Sequence, residues 1–447
     1  MFVFPLIFLL IALVSYAKRN HAMTLFGLTL IATGGFGLIA EADYPLQMAD
    51  LLIMPILIIT FVEYTKDRNY FSIKGDKLGK IVVWILGFTL FQYLRTVLLG
   101  ADTPIWAFKV VRVQLIFLVV FYIRKQKPTV LEKYVKLLIT FSTLQGVLYY
   151  LQLAGVTGIL AQDYYDNSEI VRYTNYPWYM PFILVYYVVK KDINLATRIF
   201  MLLFWGMMAI LSQTRGVIMG AAACVLMLVL IQRNYKSVVY LVAGMAVYAV
   251  LIAPVFESRT ANDAHGSTSE DLQLMMSSGI VGLSQVQSNQ VGSIAFRFGM
   301  LAERWVYLTD NPQYLPIGVG CIHEQSPNNH FYFNLGSVNA KFKYGRCMIE
   351  SGDITWVPIL LRHGLFGFIM YILLLVRWIV LGFKKYNNVS FPYAKTSCLI
   401  GVYLAITSLD GALFDSAMYL MSLCIYLGLM ESGIYQEINA KRIKVTA

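Results

Sequence analysis

Charge is scarce in this chain. Only 14% of its 447 residues are Asp, Glu, Lys or Arg, whereas a soluble domain carries about 25%. So thin a charged complement excludes an ordinary water-soluble globule. Cysteine and histidine are also few, at five each. No His/Cys spacing resembles a zinc site and no acidic cluster forms a metal box, so the sequence calls for no metal and no other cofactor. No cleavable leader is expected at the start. The first run, MFVFPLIFLLIALVSY, is followed by KRNH rather than by small residues, and reads as a retained first span.

Apolar residues are what the chain has in excess. They make up 58% of it, and the mean hydropathy is +0.62. Thirteen apolar runs lie near 1–16, 23–39, 46–62, 81–99, 104–123, 137–153, 176–189, 199–211, 217–231, 238–253, 365–383, 398–409 and 417–429. Runs of this length and spacing predict an all-α, polytopic integral membrane protein with about 12–14 transmembrane helices. One long segment, 255–353, interrupts them. The expected organisation is spans one to ten over 1–254, an outer segment over 255–353, spans eleven to thirteen over 354–432, and a tail over 433–447.

The net charge of +11 would suit nucleic acid, but the positive residues fall in loops between apolar runs, so no nucleic-acid partner is expected. The connectors alternate in charge. KRNH, KDRNYFSIKGDKLGK, RKQKPTVLEKYVK, KKDINLATR, QRNYK, KKYNNVSFPYAK and the tail KRIK are basic and hold most of the lysine and arginine. The connectors between them, EADY, GADT, QDYYDNSE, SQTRG and LDGALFDS, are acidic or nearly neutral. The positive-inside rule puts the basic set in the cytoplasm. The N-terminus is then outside and the C-terminus inside, and the SQTRG turn and the 255–353 segment are on the outer face.

Several cations break the apolar pattern. Arg215 lies in SQTRG, Arg95 near the outer end of span four, and Lys109 and Arg112 at the start of span five. A charge at mid-bilayer costs roughly 2.5–3.5 kcal/mol or more, but this register places all four near one outer depth. No acid on their own segments pairs them, which suggests a shared anionic ligand such as a lipid-linked diphosphate. Independent snorkelling toward outer phosphates stays open. So does pairing with acids at the ends of other spans, Asp50, Asp410 and Asp415.

Within the outer segment, ESRTANDAHGSTSEDLQLMMSSG has the composition of a solvated loop. SIAFRFGMLAERWVYLTDNP reads as an amphipathic helix, with Ile294, Phe298, Leu301, Trp305 and Leu308 at helical spacing, Arg297 and Arg304 on one face, and Asn311-Pro312 as its stop. A glycine-rich turn, LPIGVGCIHEQSPNNH, follows. Cys321 and Cys347 are the outer cysteines; a disulfide between them and two free thiols are both open. Cys224, Cys398 and Cys424 read as small apolar residues. Polar residues return at Glu350 and Asp353, just before an apolar helix that carries His363, Gly364 and Gly367. Asp353 is a candidate general base or a helix cap, and the two roles are compatible. Tyr164, Tyr165, Trp178, Tyr179, Trp305 and Trp356 are aromatic candidates for stacking on sugars, or for an interfacial belt.

Three stretches in order carry a resemblance. They are SQTRG with Arg215; Arg297, Trp305, Asn311-Pro312 and Gly318-Val319-Gly320; and DITWVPILLRHGLFG from Asp353 to Gly364 and Gly367. Together they resemble the bacterial O-antigen ligase/polymerase superfamily over most of 197–383. The resemblance implies a membrane-embedded fold of the GT-C kind with its large loop in the periplasm, in the cytoplasmic (inner) membrane. It implies metal-independent, inverting transfer of a glycan from undecaprenyl diphosphate, with Arg215 and Arg297 on the diphosphate. The other candidate diphosphate ligands are Arg112, Lys109 and Arg95, and the secondary candidates are Arg304, Glu350 and His323. Ligases carry a histidine where this chain has Asp353. The departure points toward a polymerase joining lipid-linked repeat units, with Asp353 as base and His330 as the alternative. The partners implied are undecaprenyl-diphosphate-linked glycans as donor and acceptor, membrane lipid, and a chain-length regulator protein as a further candidate. An O-antigen ligase acting on lipid A–core is the near rival. A lipid-linked oligosaccharide flippase is the distant one, disfavoured because the spans show no internal repeat.

Overall fold

Apolar runs of this kind have one way to satisfy their backbone in lipid, which is to coil into helices. A computed structural model describes residues 3–39, 47–72, 77–156, 159–161, 164–165, 172–173, 176–190, 192–212, 214–233, 268–286, 293–335, 349 and 354–446. Each apolar run within those residues is helical. The helices are Val3–Ala17, His21–Ala32, Met48–Lys66, Lys77–Leu98, Pro104–Gln114 continuing through a 3-10 turn into Leu118–Arg124, Pro128–Leu153, Met180–Val189, Leu195–Leu211, Arg215–Gln232, Trp356–Lys385, Pro392–Thr407 and Ala417–Thr446. The run near 238–253 lies outside the described residues. The described β-structure is a two-residue ladder, Tyr164–Tyr165 against Arg172–Tyr173.

Local chemistry sets the helix starts. Pro104, Pro128, Pro181 and Pro392 occupy first-turn positions, where a missing N–H costs nothing. Among the described residues, five helices are long and apolar enough to cross a membrane: Met48–Lys66, the stretches Leu78–Leu98 and Pro104–Arg124, Trp356–Lys385 and Ala417–Gln436. Shorter apolar helices pack beside them, among them His21–Ala32, Met180–Val189 and Leu195–Leu211. The protein is therefore an all-helical, membrane-embedded chain. The last helix forms its central column, and every residue from Leu420 to Gly433 is buried. The rim is apolar instead of charged. On Trp356–Lys385, Phe366, Ile369, Leu373 and Val376 are exposed along one face, as a lipid-facing surface requires.

The connectors sort between two ends of the bundle. At one end three of the basic connectors meet. Lys125 pairs with Asp67, the Arg124 Nη2 group donates to the Ser72 carbonyl at 2.8 Å, and the Tyr16 hydroxyl donates to Glu63 at 2.6 Å. His21 Nδ1 lies 2.7 Å from the Tyr122 hydroxyl. The other end holds the 100–103 connector, the 315–326 turn and the 410–415 loop, tied together as described below.

The segment 255–353 departs from expectation in one respect. The stretch read as a solvated loop overlaps a helix, Thr268–Ser284, kinked at Gly279. It packs against the expected amphipathic helix, which runs Ser293–Asp310. A buried carboxylate makes the junction. Asp271 accepts the backbone N–H groups of Ile294 and Ala295, each at 3.2 Å, so it caps the first turn of the second helix from outside that helix. Polar composition hid this helix, because its fixing contact is made by a residue more than twenty positions away from the helix it caps.

Candidate functional site

The SQTRG turn ends where the Arg215–Gln232 helix begins, with Thr214 extended at its N-cap. Two glycines one turn apart let this helix approach its neighbours. A Cβ on Gly220 would stand 2.5 Å from the Tyr403 ring, and one on Gly216 would stand 2.8 Å from Asp410 Oδ2. This is the small-xxx-small spacing of close helix packing in membranes. Its result is that the first turn of the helix lies directly on the Asp410 carboxylate.

Asp410 also holds an arginine from the outer segment. Arg297 Nη1 lies 2.6 Å from Asp410 Oδ1, and both side chains keep about a quarter of their surface, 24% and 23%. Thus the Arg215 turn and Arg297, eighty-two positions apart in sequence, meet at one carboxylate. Beside Asp410 opens a small cavity of about 40 Å³. Thr214, Thr407, Asp410 and Ser422 give it a polar side, and Tyr176, Trp178, Tyr403, Tyr419 and Tyr426 an aromatic one. The Trp178 and Tyr419 rings meet edge to face at 4.7 Å. A cavity lined by aromatic rings with a few converging polar groups is the usual form of a small-ligand site.

The remaining sequence candidates have other surroundings. Arg112 is buried, paired with Asp50 and bonded to Gln47. Lys109 sits 3.8 Å above the Trp106 ring. The Arg95 guanidinium donates to the carbonyls of Ile317 at 3.2 Å and Gly318 at 2.9 Å. Arg304 is fully buried, donating to the Leu335 carbonyl at 2.9 Å and lying 4.1 Å over Phe333. Arg112 thus makes the pairing with Asp50 that the sequence left open, Arg95 uses backbone carbonyls, and Arg304 also pairs with Glu303 on its own helix at 2.9 Å.

His323 is buried against Trp106, ring centroids 5.0 Å apart, with its backbone N–H on Asp102 at 3.2 Å. His330 is exposed. Glu350, Asp353 and Cys347 lie outside the described residues. Cys321 is a buried thiol, and burial pushes its pKa up to about 12. Of the aromatic candidates, Trp178 reaches the cavity. Trp356 is buried, donating to the Ser408 hydroxyl at 3.1 Å; Tyr179 is fully buried as well. Among the described residues no three His, Cys, Asp or Glu side chains gather as a metal-binding group.

The second and third motifs are stitched to each other. The Trp356–Lys385 helix breaks at Gly364, where φ is +62°. At the break, Leu361 and Arg362 accept hydrogen bonds from Val319 N at 2.9 Å and Gly320 N at 3.1 Å. The N–H groups of Leu365 and Phe366 donate in turn to Leu315 at 2.9 Å and Pro316 at 3.0 Å. An unbroken helix would have joined these same four groups to one another, Leu365 to Leu361 and Phe366 to Arg362. Gly318, Gly320 and Gly364 all have positive φ, which only glycine adopts at little cost.

Other elements pin the turn. Thr96 Oγ1 accepts the Cys321 N–H at 2.8 Å, and Asp102 accepts the Ser326 hydroxyl at 2.5 Å. Arg362, missed in the sequence because it sits inside an apolar run, is buried beside Asp415 at 3.1 Å and donates to the Ile322 carbonyl at 3.3 Å.

No protein-family model matches the chain, and no curated protein matches it.

Proposed function

We propose that this chain is a surface-polysaccharide polymerase of the O-antigen kind. It would sit in a bacterial inner membrane and join undecaprenyl-diphosphate-linked oligosaccharide repeat units on the periplasmic side by metal-independent, inverting glycosyl transfer. The observation that carries the reading is the meeting of the Arg215 turn, Arg297 and Asp410 beside a cavity walled with aromatic rings. A diphosphate leaving group gains negative charge as its glycosidic bond breaks. Arginine is always charged, binds two oxygens at once, and stabilises that charge. Rings such as Trp178 and Tyr419 suit the apolar faces of sugars.

The acceptor hydroxyl needs a base to take its proton. Asp353 is the proposed group, with His330 as the alternative. The side assignment is part of the proposal. It rests on three of the basic connectors meeting at the end of the bundle remote from this cavity, which the positive-inside rule places in the cytoplasm.

The test is reconstitution. Purified protein is mixed with a synthetic undecaprenyl-diphosphate oligosaccharide and the products are resolved by length. A ladder supports the polymerase. Transfer only to added lipid A–core would replace it with a ligase. Neither product, together with lipid-linked sugar crossing the bilayer of a proteoliposome, would replace it with a flippase.

A further inference from the structure

The Asp410 carboxylate occupies a place built for an anion. One oxygen is held by Arg297 at 2.6 Å. The other lies against Gly216, in the first turn of the Arg215–Gln232 helix, where the positive end of the helix dipole favours negative charge. The pair is only partly buried, 24% and 23% exposed, and its Asp410 lines the cavity. It differs in this from the Arg112–Asp50 and Arg362–Asp415 pairs, whose arginines are sealed at 4% and 2% exposure. A partly exposed pair beside a cavity can exchange partners with an incoming ligand; a sealed one cannot without unfolding its surroundings.

We propose that Asp410 is a specificity-determining residue, an internal stand-in anion that makes the site select diphosphates over monophosphates. This rests on the lipid-diphosphate reading of the cavity. A monophosphate arriving at Arg297 replaces the carboxylate one for one and leaves Asp410 repelling it from close by, so the exchange gains little. A diphosphate places one phosphate on Arg297 and a second on the helix start, and the added contact outweighs the displaced carboxylate. The site thus discriminates by charge number. A carrier whose glycan has departed and whose terminal phosphate has been removed binds weakly and leaves the cavity free.

The experiment measures binding of farnesyl diphosphate and farnesyl monophosphate to detergent-purified protein by calorimetry. Wild type, Asp410→Asn, Asp410→Ser and Arg297→Ala are compared. Asparagine keeps the shape that Gly216 accommodates, and serine is smaller, so neither adds a clash. Wild type should favour the diphosphate. In both Asp410 variants the monophosphate should gain about tenfold in affinity, more than the diphosphate gains, so the ratio shrinks. Arg297→Ala should weaken both probes. Probe binding that depends on Arg297, with a ratio unchanged in the Asp410 variants, overturns the role of Asp410 alone. Binding that is absent from wild type, or indifferent to Arg297, overturns both this proposal and the diphosphate reading beneath it.

Discussion

Gly318 and Gly364 lie backbone against backbone. A Cβ on Gly318 would stand 2.6 Å from the Gly364 nitrogen, and one on Gly364 would stand 2.6 Å from the nitrogen of Ile317, next to Gly318. The contact joins the glycine-rich turn of the outer segment to the break in a membrane helix, and four crossed hydrogen bonds depend on it.

Alanine at either glycine should therefore weaken the fold itself. Positive φ costs a non-glycine residue roughly 1–2 kcal/mol, and the steric clash adds to it. Gly318→Ala and Gly364→Ala should lower the thermal transition of the purified protein and cut its yield. Gly100, also at positive φ but with nothing near its Cβ position, is the control and should lose only the backbone term. Equal losses at all three would remove the stitching role.

The arginines should divide into two kinds. Arg362→Ala and Arg304→Ala each remove a buried guanidinium and leave its acceptors unpaired, at a cost of about 3–5 kcal/mol. Both should reduce folded protein as judged by monodispersity in detergent. Arg297→Ala and Arg215→Ala should leave protein level and insertion unchanged while abolishing long-chain polymer. Normal chain-length ladders in the second pair would defeat the assignment of the site.

Asp353→Asn should cut turnover by about a hundredfold or more, in line with loss of a general base, while binding of lipid-linked substrate stays near wild type. Full turnover would shift the role to His330, tested next as His330→Gln. Turnover should also survive EDTA. Activity lost to the chelator and restored by zinc or magnesium would contradict metal-independent transfer.

Cys321 should be inert in the folded protein. A buried thiol whose pKa stands near 12 has almost no thiolate at pH 7.5. Maleimide labelling, read by mass spectrometry, should reach Cys321 only after denaturation. Rapid labelling of the native protein would show that the 315–326 turn opens.

How far these features could be read in the sequence depends on what fixes each one. The helices over 48–66 and 356–385 follow from local apolar length, which periodicity reports directly. The Ser293–Asp310 helix was legible for the same reason, through Ile294, Leu301 and Leu308. Its partner Thr268–Ser284 was not, since its polar run offers little pattern and the decisive contact, Asp271 on Ile294, is tertiary. Arg215 and Arg297 could be singled out as misplaced charges, and Asp410 and Asp50 named as possible counter-ions. Which acid meets which arginine depends on packing between distant spans. Gly216 and Gly220 carried a readable signal, four apart in an apolar helix, and that spacing is what brings the Arg215 turn to Asp410. Arg362 had no such signal, because one cation in an apolar run looks the same whether it faces lipid, a ligand or Asp415.

The exchange of hydrogen bonds at Gly364 limits how this molecule can open. Residues 315–320 share a ladder with the Trp356–Lys385 helix and so travel with it as a single rigid piece; they cannot swing as a lid. Any movement of the Ser293–Asp310 helix relative to that piece must be taken up before Leu315, in the short stretch between Asp310 and Leu315.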